Sequence, residues 1–117
     1  MSALDQAVAE LEARRARDDA ERQSRQAASA AFLKGFYEAD IAPSKALQEG
    51  GIQAVFDGVR LMLQRPQEGV YAEGMMIVVG EQGEIDVNGR SLGPAGSQDR
   101  SAITRELIAE IIGHFSL

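Results

Sequence analysis

The sequence predicts an α+β fold: a long N-terminal helix, two shorter helices, a small antiparallel β-meander of about three strands, and a C-terminal helix packed on the sheet. Three observations predict it. Residues 2–40 contain no proline, Gly35 as their only glycine and abundant alanine, a composition that favours continuous helix. Residues 75–92 combine an unbroken apolar run, an alternating segment and two glycine-bearing turns. Ile103, Leu107, Ile108, Ile111, Ile112 and Phe115 fall at helical spacing and make a wide apolar stripe. A length of 117 residues, 44% of them hydrophobic, suits a single modest core. The expected division is a protruding helical arm over residues 1–40 and a globular part over residues 41–117.

Along the arm the apolar residues are uneven. Leu4, Val8 and Leu11 form a short stripe, residues 12–26 offer only alanine, and Phe32, Leu33, Phe36 and Tyr37 restore an apolar face that anchors the arm. Glu10, Arg14, Asp18 and Arg22 follow at i,i+4 spacing, as do Arg15 with Asp19, Arg17 with Glu21, and Glu21 with Arg25, so a solvated helix is expected here. About 38 residues at ~1.5 Å rise would reach nearly 60 Å, against a radius of gyration near 13 Å for a compact domain of this size. A sustained coiled coil is a poor use of that reach. The heptad begun by Leu4, Val8 and Leu11 continues through Arg15, Asp18, Arg22, Arg25 and Ser29 before meeting Phe32 and Phe36.

Pro43 opens a short helical turn reaching Gln48, which Gly50-Gly51 ends. Ile52, Val55, Phe56, Val59, Met62 and Leu63 sit at helical spacing, which predicts an amphipathic helix over residues 52–64, stopped by Arg65-Pro66 and covering the meander. Val70 and Tyr71 suggest a short edge strand. Residues 75–79 read as a central strand buried on both faces, and residues 84–87 as a strand with Ile85 and Val87 on one face and Glu84 and Asp86 on the other. Asn88-Gly89 is suited to a type I′ hairpin turn into a short third strand, residues 90–92. Ser97 or Asp99 is expected to cap a last helix of about 14 residues that ends before Gly113.

Composition narrows the chemistry. With no cysteine, one histidine and no tryptophan there is no thiolate metal site, no disulfide and no cysteine nucleophile. Glu84-x-Asp86-x-Asn88-Gly89 imitates a calcium loop, but Ala95 stands where the bidentate glutamate belongs, and strand alternation already explains the spacing. His114 is expected to serve the C-terminal end of the last helix. Neither a nucleophile elbow nor a phosphate loop is present, so no enzyme, cofactor or metal is expected. The first residues lack a basic segment followed by an apolar block, and no run approaches ~18 apolar residues; a cytoplasmic protein without a membrane span is expected.

The functional expectation is a non-catalytic protein–protein interaction module that self-associates, as a dimer, or binds a protein partner through its N-terminal helix. Leu4, Val8 and Leu11 would grip, with Arg14 and Arg15 beside them. A net charge of −6 supports a different reading, a small acidic inhibitor, such as a phage encodes, that blocks a basic nucleic-acid site on a host protein. Glu81, Glu84 and Asp86 would be its leading charges, with Asp57, Glu68, Glu73 and Glu110. A third reading is RNA binding through Arg14, Arg15, Arg17, Arg22 and Arg25, which the interleaved acids and the overall charge disfavour.

Overall fold

The chain is described by a computed structural model over residues 2–66, 73–95 and 100–117. In order it forms α1 (Ala3–Phe36), a π-helical turn (Tyr37–Ile41), α2 (Lys45–Glu49), β1 (Gln53–Phe56), β2 (Arg60–Arg65), β3 (Glu73–Val79), β4 (Glu84–Val87), β5 (Arg90–Pro94) and α3 (Arg100–Phe115). The α+β class is as predicted, with five strands in place of three.

Helix α1 starts on Ser2, whose hydroxyl accepts from the Asp5 N–H at 3.1 Å, and ends with Lys34 in its last turn, both favourable to the helix termini. The π-helical turn then adds one residue to the winding, closed by Ala42 N–H to Tyr37 C=O at 2.8 Å. Its consequence is that Ile41, rather than Asp40, comes to lie under the helix end and is buried. Ser44 caps α2 by accepting from Leu47 N–H at 3.3 Å, which points Leu47 into the core.

The segment predicted as a helix over residues 52–64 is a β-hairpin. Asp57 holds the reversal, its Oδ1 accepting from Val59 N–H at 3.1 Å and Arg60 N–H at 2.8 Å, while Gly58 takes a φ of 106° that only glycine adopts easily. Leu61 and Leu63 turn to one face and Met62 to the other, a period of two that no helix gives. The strands form a simple meander in the order β1-β2-β3-β4-β5, with every neighbouring pair antiparallel and β3 central as predicted, but buried on one face rather than on both, because the helices cover only the Met75 and Ile77 side. Asn88 and Gly89 take φ values of 50° and 86°, as the type I′ turn requires.

The register assembles the core. Leu61 opposes Ile77, Leu63 opposes Met75, and Ile77 opposes Val87, so one sheet face is continuously apolar. Leu33 and Phe36 of α1 and Ile103, Leu107, Ile111 and Phe115 of α3 belong to the same buried cluster. Tyr37 stacks on Phe56 with ring centroids 5.4 Å apart. Both helices lie on that one face. The opposite face carries Val55, Met62 and Met76 as a cross-strand row, with Val55 exposed and the two methionines half-buried.

Helix α3 runs through Gly113 to Phe115 instead of stopping before Gly113. Its last carbonyl is served by Arg65, which the sequence marks only as part of a helix stop. Arg65 Nη2 donates to Phe115 C=O at 2.9 Å, Arg65 Nε donates to Gly50 C=O at 3.1 Å, and the guanidinium lies 5.5 Å from the Phe115 ring centroid. His114, expected at this position, instead meets the Phe115 ring edge-on, and its Nε2 is buried without a hydrogen-bond partner among the described residues. Arg65→Ala is expected to cost about 2 kcal/mol, because two charge-assisted bonds and a cation–π contact go together. Arg65→Lys should recover only part of this, having no fork; urea midpoints of the three chains measure it. The proposed strand through Val70 and Tyr71 and the caps at Ser97 and Asp99 lie outside the described residues.

Candidate interaction surface

The molecule is drawn out by α1. Its extents are 69 × 34 × 20 Å and its radius of gyration is 18.9 Å, well above the ~13 Å of a compact chain of this length. Every residue from 2 to 21 is exposed, and burial on α1 begins in earnest only at Ser29. The part beyond the sheet, about 22 residues at ~1.5 Å rise, is therefore roughly 33 Å long. Among the described residues, the ion pair within it is Arg22 with Asp19 at 3.0 Å, so the predicted i,i+4 ladder is open to solvent rather than closed. Arg14 and Arg15 are exposed on this part.

A cluster of polar contacts fixes where the arm leaves the domain. Arg25 Nε donates to Gln82 C=O at 3.2 Å, Gln26 Nε2 donates to Glu81 C=O at 2.6 Å, and the buried Ser29 hydroxyl donates to Gly83 C=O. Ser29 Oγ also accepts from Ala95 N–H at 3.2 Å. One hydroxyl thus joins α1 to the β3–β4 turn and to the end of β5. Gly83, with φ at 79°, comes so near the helix that an added Cβ would stand 2.6 Å from Arg25 Cβ. Sequence reasoning placed Ser29 on the helix seam as an interruption; a small polar residue one turn before Leu33 was the available signal of a buried hydrogen-bonding junction.

At the other end, Leu4, Val8 and Leu11 are 72%, 45% and 43% exposed. With 3.6 residues per turn they fall within about 60° of Ser29, so the apolar tip faces the same way as the sheet-covering side of α1, beyond the sheet's edge. Glu81 is exposed on the β3–β4 turn. Glu84 is half-buried and directs Oε2 to Gln82 N–H at 2.9 Å, completing that turn. Asp86 lies on the uncovered sheet face, opposite Val78 and Ser91. These acids sit near the root of the arm or behind the sheet, whereas Leu11 is about 21 Å farther along the helix than Arg25. The structure keeps the apolar and acidic sets apart.

A second uncovered apolar surface lies at the opposite end of α1. An open groove of about 370 Å³ runs between the π-helical turn and α2 on one side and α3 on the other, floored by Ile41, Leu47 and Ile111 and flanked by Ile108, Ile112 and Leu117. Ile108 and Ile112 are 38% and 46% exposed. Among the described residues no group of three or more His, Asp or Glu side chains is placed to hold a metal, and no helix is long and apolar enough to cross a membrane.

No protein-family model, curated protein or solved structure matches the chain.

Proposed function

We propose that this is a non-catalytic protein–protein interaction module, acting in the cytoplasm, in which α1 holds an apolar gripping patch clear of the domain that anchors it. The observation that carries the reading is the exposure of Leu4, Val8 and Leu11 on a helix rooted by buried contacts at Ser29, Leu33 and Phe36. A regular apolar stripe on a solvated helix contributes nothing to the core. Its burial on a partner stabilises a complex, at up to about 1.5–3 kcal/mol for each Val or Leu fully covered.

The acidic-inhibitor reading draws on the net charge of −6. It loses one of its leading charges to the β3–β4 turn, where Glu84 is engaged by Gln82. The interaction reading needs no such reassignment.

Replacing Leu4, Val8 and Leu11 together by serine should leave the domain's unfolding midpoint within about 0.5 kcal/mol per site, because all three are surface positions. Light scattering after size exclusion is expected to give the unaltered chain a mass above its own 12.6 kDa, alone or with a captured protein, and the triple variant that mass alone. Equal masses for both chains, with no partner lost from a pull-down, would sink the proposal.

A further inference from the structure

We propose that β1 is a second interface, at which two copies of the chain pair edge to edge and join their meanders into one continuous sheet. The contact lies away from the arm and uses no residue of α1. It follows from the ladder. Asp57 N–H donates to Arg60 C=O at 3.0 Å, which closes the β1–β2 turn and fixes the alternation behind it, so that Asp57, Val55 and Gln53 turn their backbone groups toward β2. The N–H and C=O groups of Ala54 and Phe56 therefore point away from the sheet, and among the described residues no group answers them.

The opposite edge is closed. On β5 the Gly93 N–H is taken by Ser91 Oγ at 3.2 Å, Pro94 has no N–H, and the Ala95 N–H just beyond is taken by Ser29 Oγ at 3.2 Å. A register shift between Glu84 and Asp86 also breaks the pairing of β4 with β5. Proline, bulges and charged side chains are the usual means of blunting an edge, and β1 has none of them. From Gly50 to Phe56 the sequence contains no acid, base or proline.

A second copy fits this edge because the free groups recur two residues apart. With the strands antiparallel across a two-fold axis at Val55, Ala54 of each chain exchanges both backbone hydrogen bonds with Phe56 of the other, and every free group finds a partner. The register keeps the faces in step, since Ala54 and Phe56 lie on the helix-covered side and Val55 on the uncovered side. Half-buried Phe56 gains the small Ala54 as its neighbour. Val55, 64% exposed, meets its own equivalent in a non-hydrogen-bonded pair, where side chains come closest. The row of Val55, Met62 and Met76 then continues across the axis. Gln53 faces Asp57, so in a chain of net charge −6 no acid meets an acid along the paired strands.

A strand of four residues makes a weak contact. Set against the loss of translational freedom, its hydrogen bonds and one valine pair correspond to a dissociation constant on the order of 0.1–1 mM. At the dilution of a size-exclusion column the edge is open, so a mass measured there reports the arm, and the two readings can fail separately.

Sedimentation equilibrium of the full chain with Leu4, Val8 and Leu11 changed to serine isolates the edge. At millimolar protein its mass is expected to approach twice 12.6 kDa, and the amide resonances of Ala54 and Phe56 to shift with concentration. Ala54→Pro removes only the outward donor, and Val55→Lys sets like charges together on the axis. Each is expected to weaken association at least about tenfold while circular dichroism and the urea midpoint stay close to those of the parent. The absence of cysteine gives a clean background for a direct readout. In the same chain, the symmetric disulfide of Val55→Cys should form at least about tenfold faster than that of Val59→Cys, which is exposed in the adjoining turn. A mass that stays at 12.6 kDa at millimolar protein, or disulfides forming at equal rates, would overturn the edge pairing. Undiminished association of both Ala54→Pro and Val55→Lys would overturn it as well, placing the contact elsewhere on the molecule.

Discussion

Gly83→Ala is expected to destabilise the protein by about 2–5 kcal/mol, more than any surface substitution on the arm. Two costs coincide at this position. The φ of 79° places an alanine in the left-handed region, at about 1 kcal/mol. The new Cβ would also stand 2.6 Å from Arg25 Cβ, 2.7 Å from its carbonyl carbon and 2.9 Å from its carbonyl oxygen, two of which are helix backbone that cannot swing aside. The helix must lift from the β3–β4 turn, and the Ser29 hydrogen bond to Gly83 stretches with it. Chemical denaturation should give a lower midpoint with little change in slope. Gly89→Ala, at a φ of 86° but with open space around the added Cβ, should show the conformational cost alone.

Ser29→Ala is expected to cost roughly 2–4 kcal/mol although it removes a single oxygen. That oxygen accepts from Ala95 N–H and donates to Gly83 C=O, and both residues are buried. Alanine leaves a donor and an acceptor away from water with no partner, and each such orphan costs about 1–3 kcal/mol. Ser24→Ala, five residues earlier and exposed, should stay within about 0.5 kcal/mol of the parent. Amide hydrogen exchange at Ala95 is the local readout: it should accelerate in Ser29→Ala well beyond the change in global stability.

Much of the fold was legible because local chemistry and tertiary structure agree. The alanine-rich, proline-free N-terminal segment, the central β3 run and the Asn88-Gly89 reversal each need only near neighbours to be understood. The segment from Ile52 to Leu63 was misread because its apolar residues satisfy two periodicities. Ile52, Val55, Phe56 and Val59 mimic a helical stripe, while Phe56, Leu61 and Leu63 share the covered face of a sheet. Six residues of pairing between β2 and β3 decide the matter, and that pairing is invisible to a local window. The Asp57-Gly58 dipeptide was the local signal that carried the right answer.

The candidate surface was legible at one end only. Leu4, Val8 and Leu11 stand out because nothing apolar larger than alanine follows them until Phe32. The groove did not, since Ile108 and Ile112 look like the rest of a core stripe until the fold uses Ile103, Leu107 and Ile111 and leaves the other two uncovered. The junction at Arg25, Gln26 and Ser29 depends on carbonyl groups more than 50 positions away in the chain, which residue types alone do not reveal.

Because α1 passes without a break from the sheet into solvent, the Arg25 to Ser29 junction is a fulcrum with a rigid beam on either side. On a lever roughly 33 Å long, a tilt of about 5° at that pivot sweeps the far end through some 3 Å, while the short limb bearing Leu33 and Phe36 moves by only about half as much. Load applied at the tip therefore arrives as torque on the β3–β4 turn, and it meets the bonds of Arg25 and Gln26 before those that Ser29 makes.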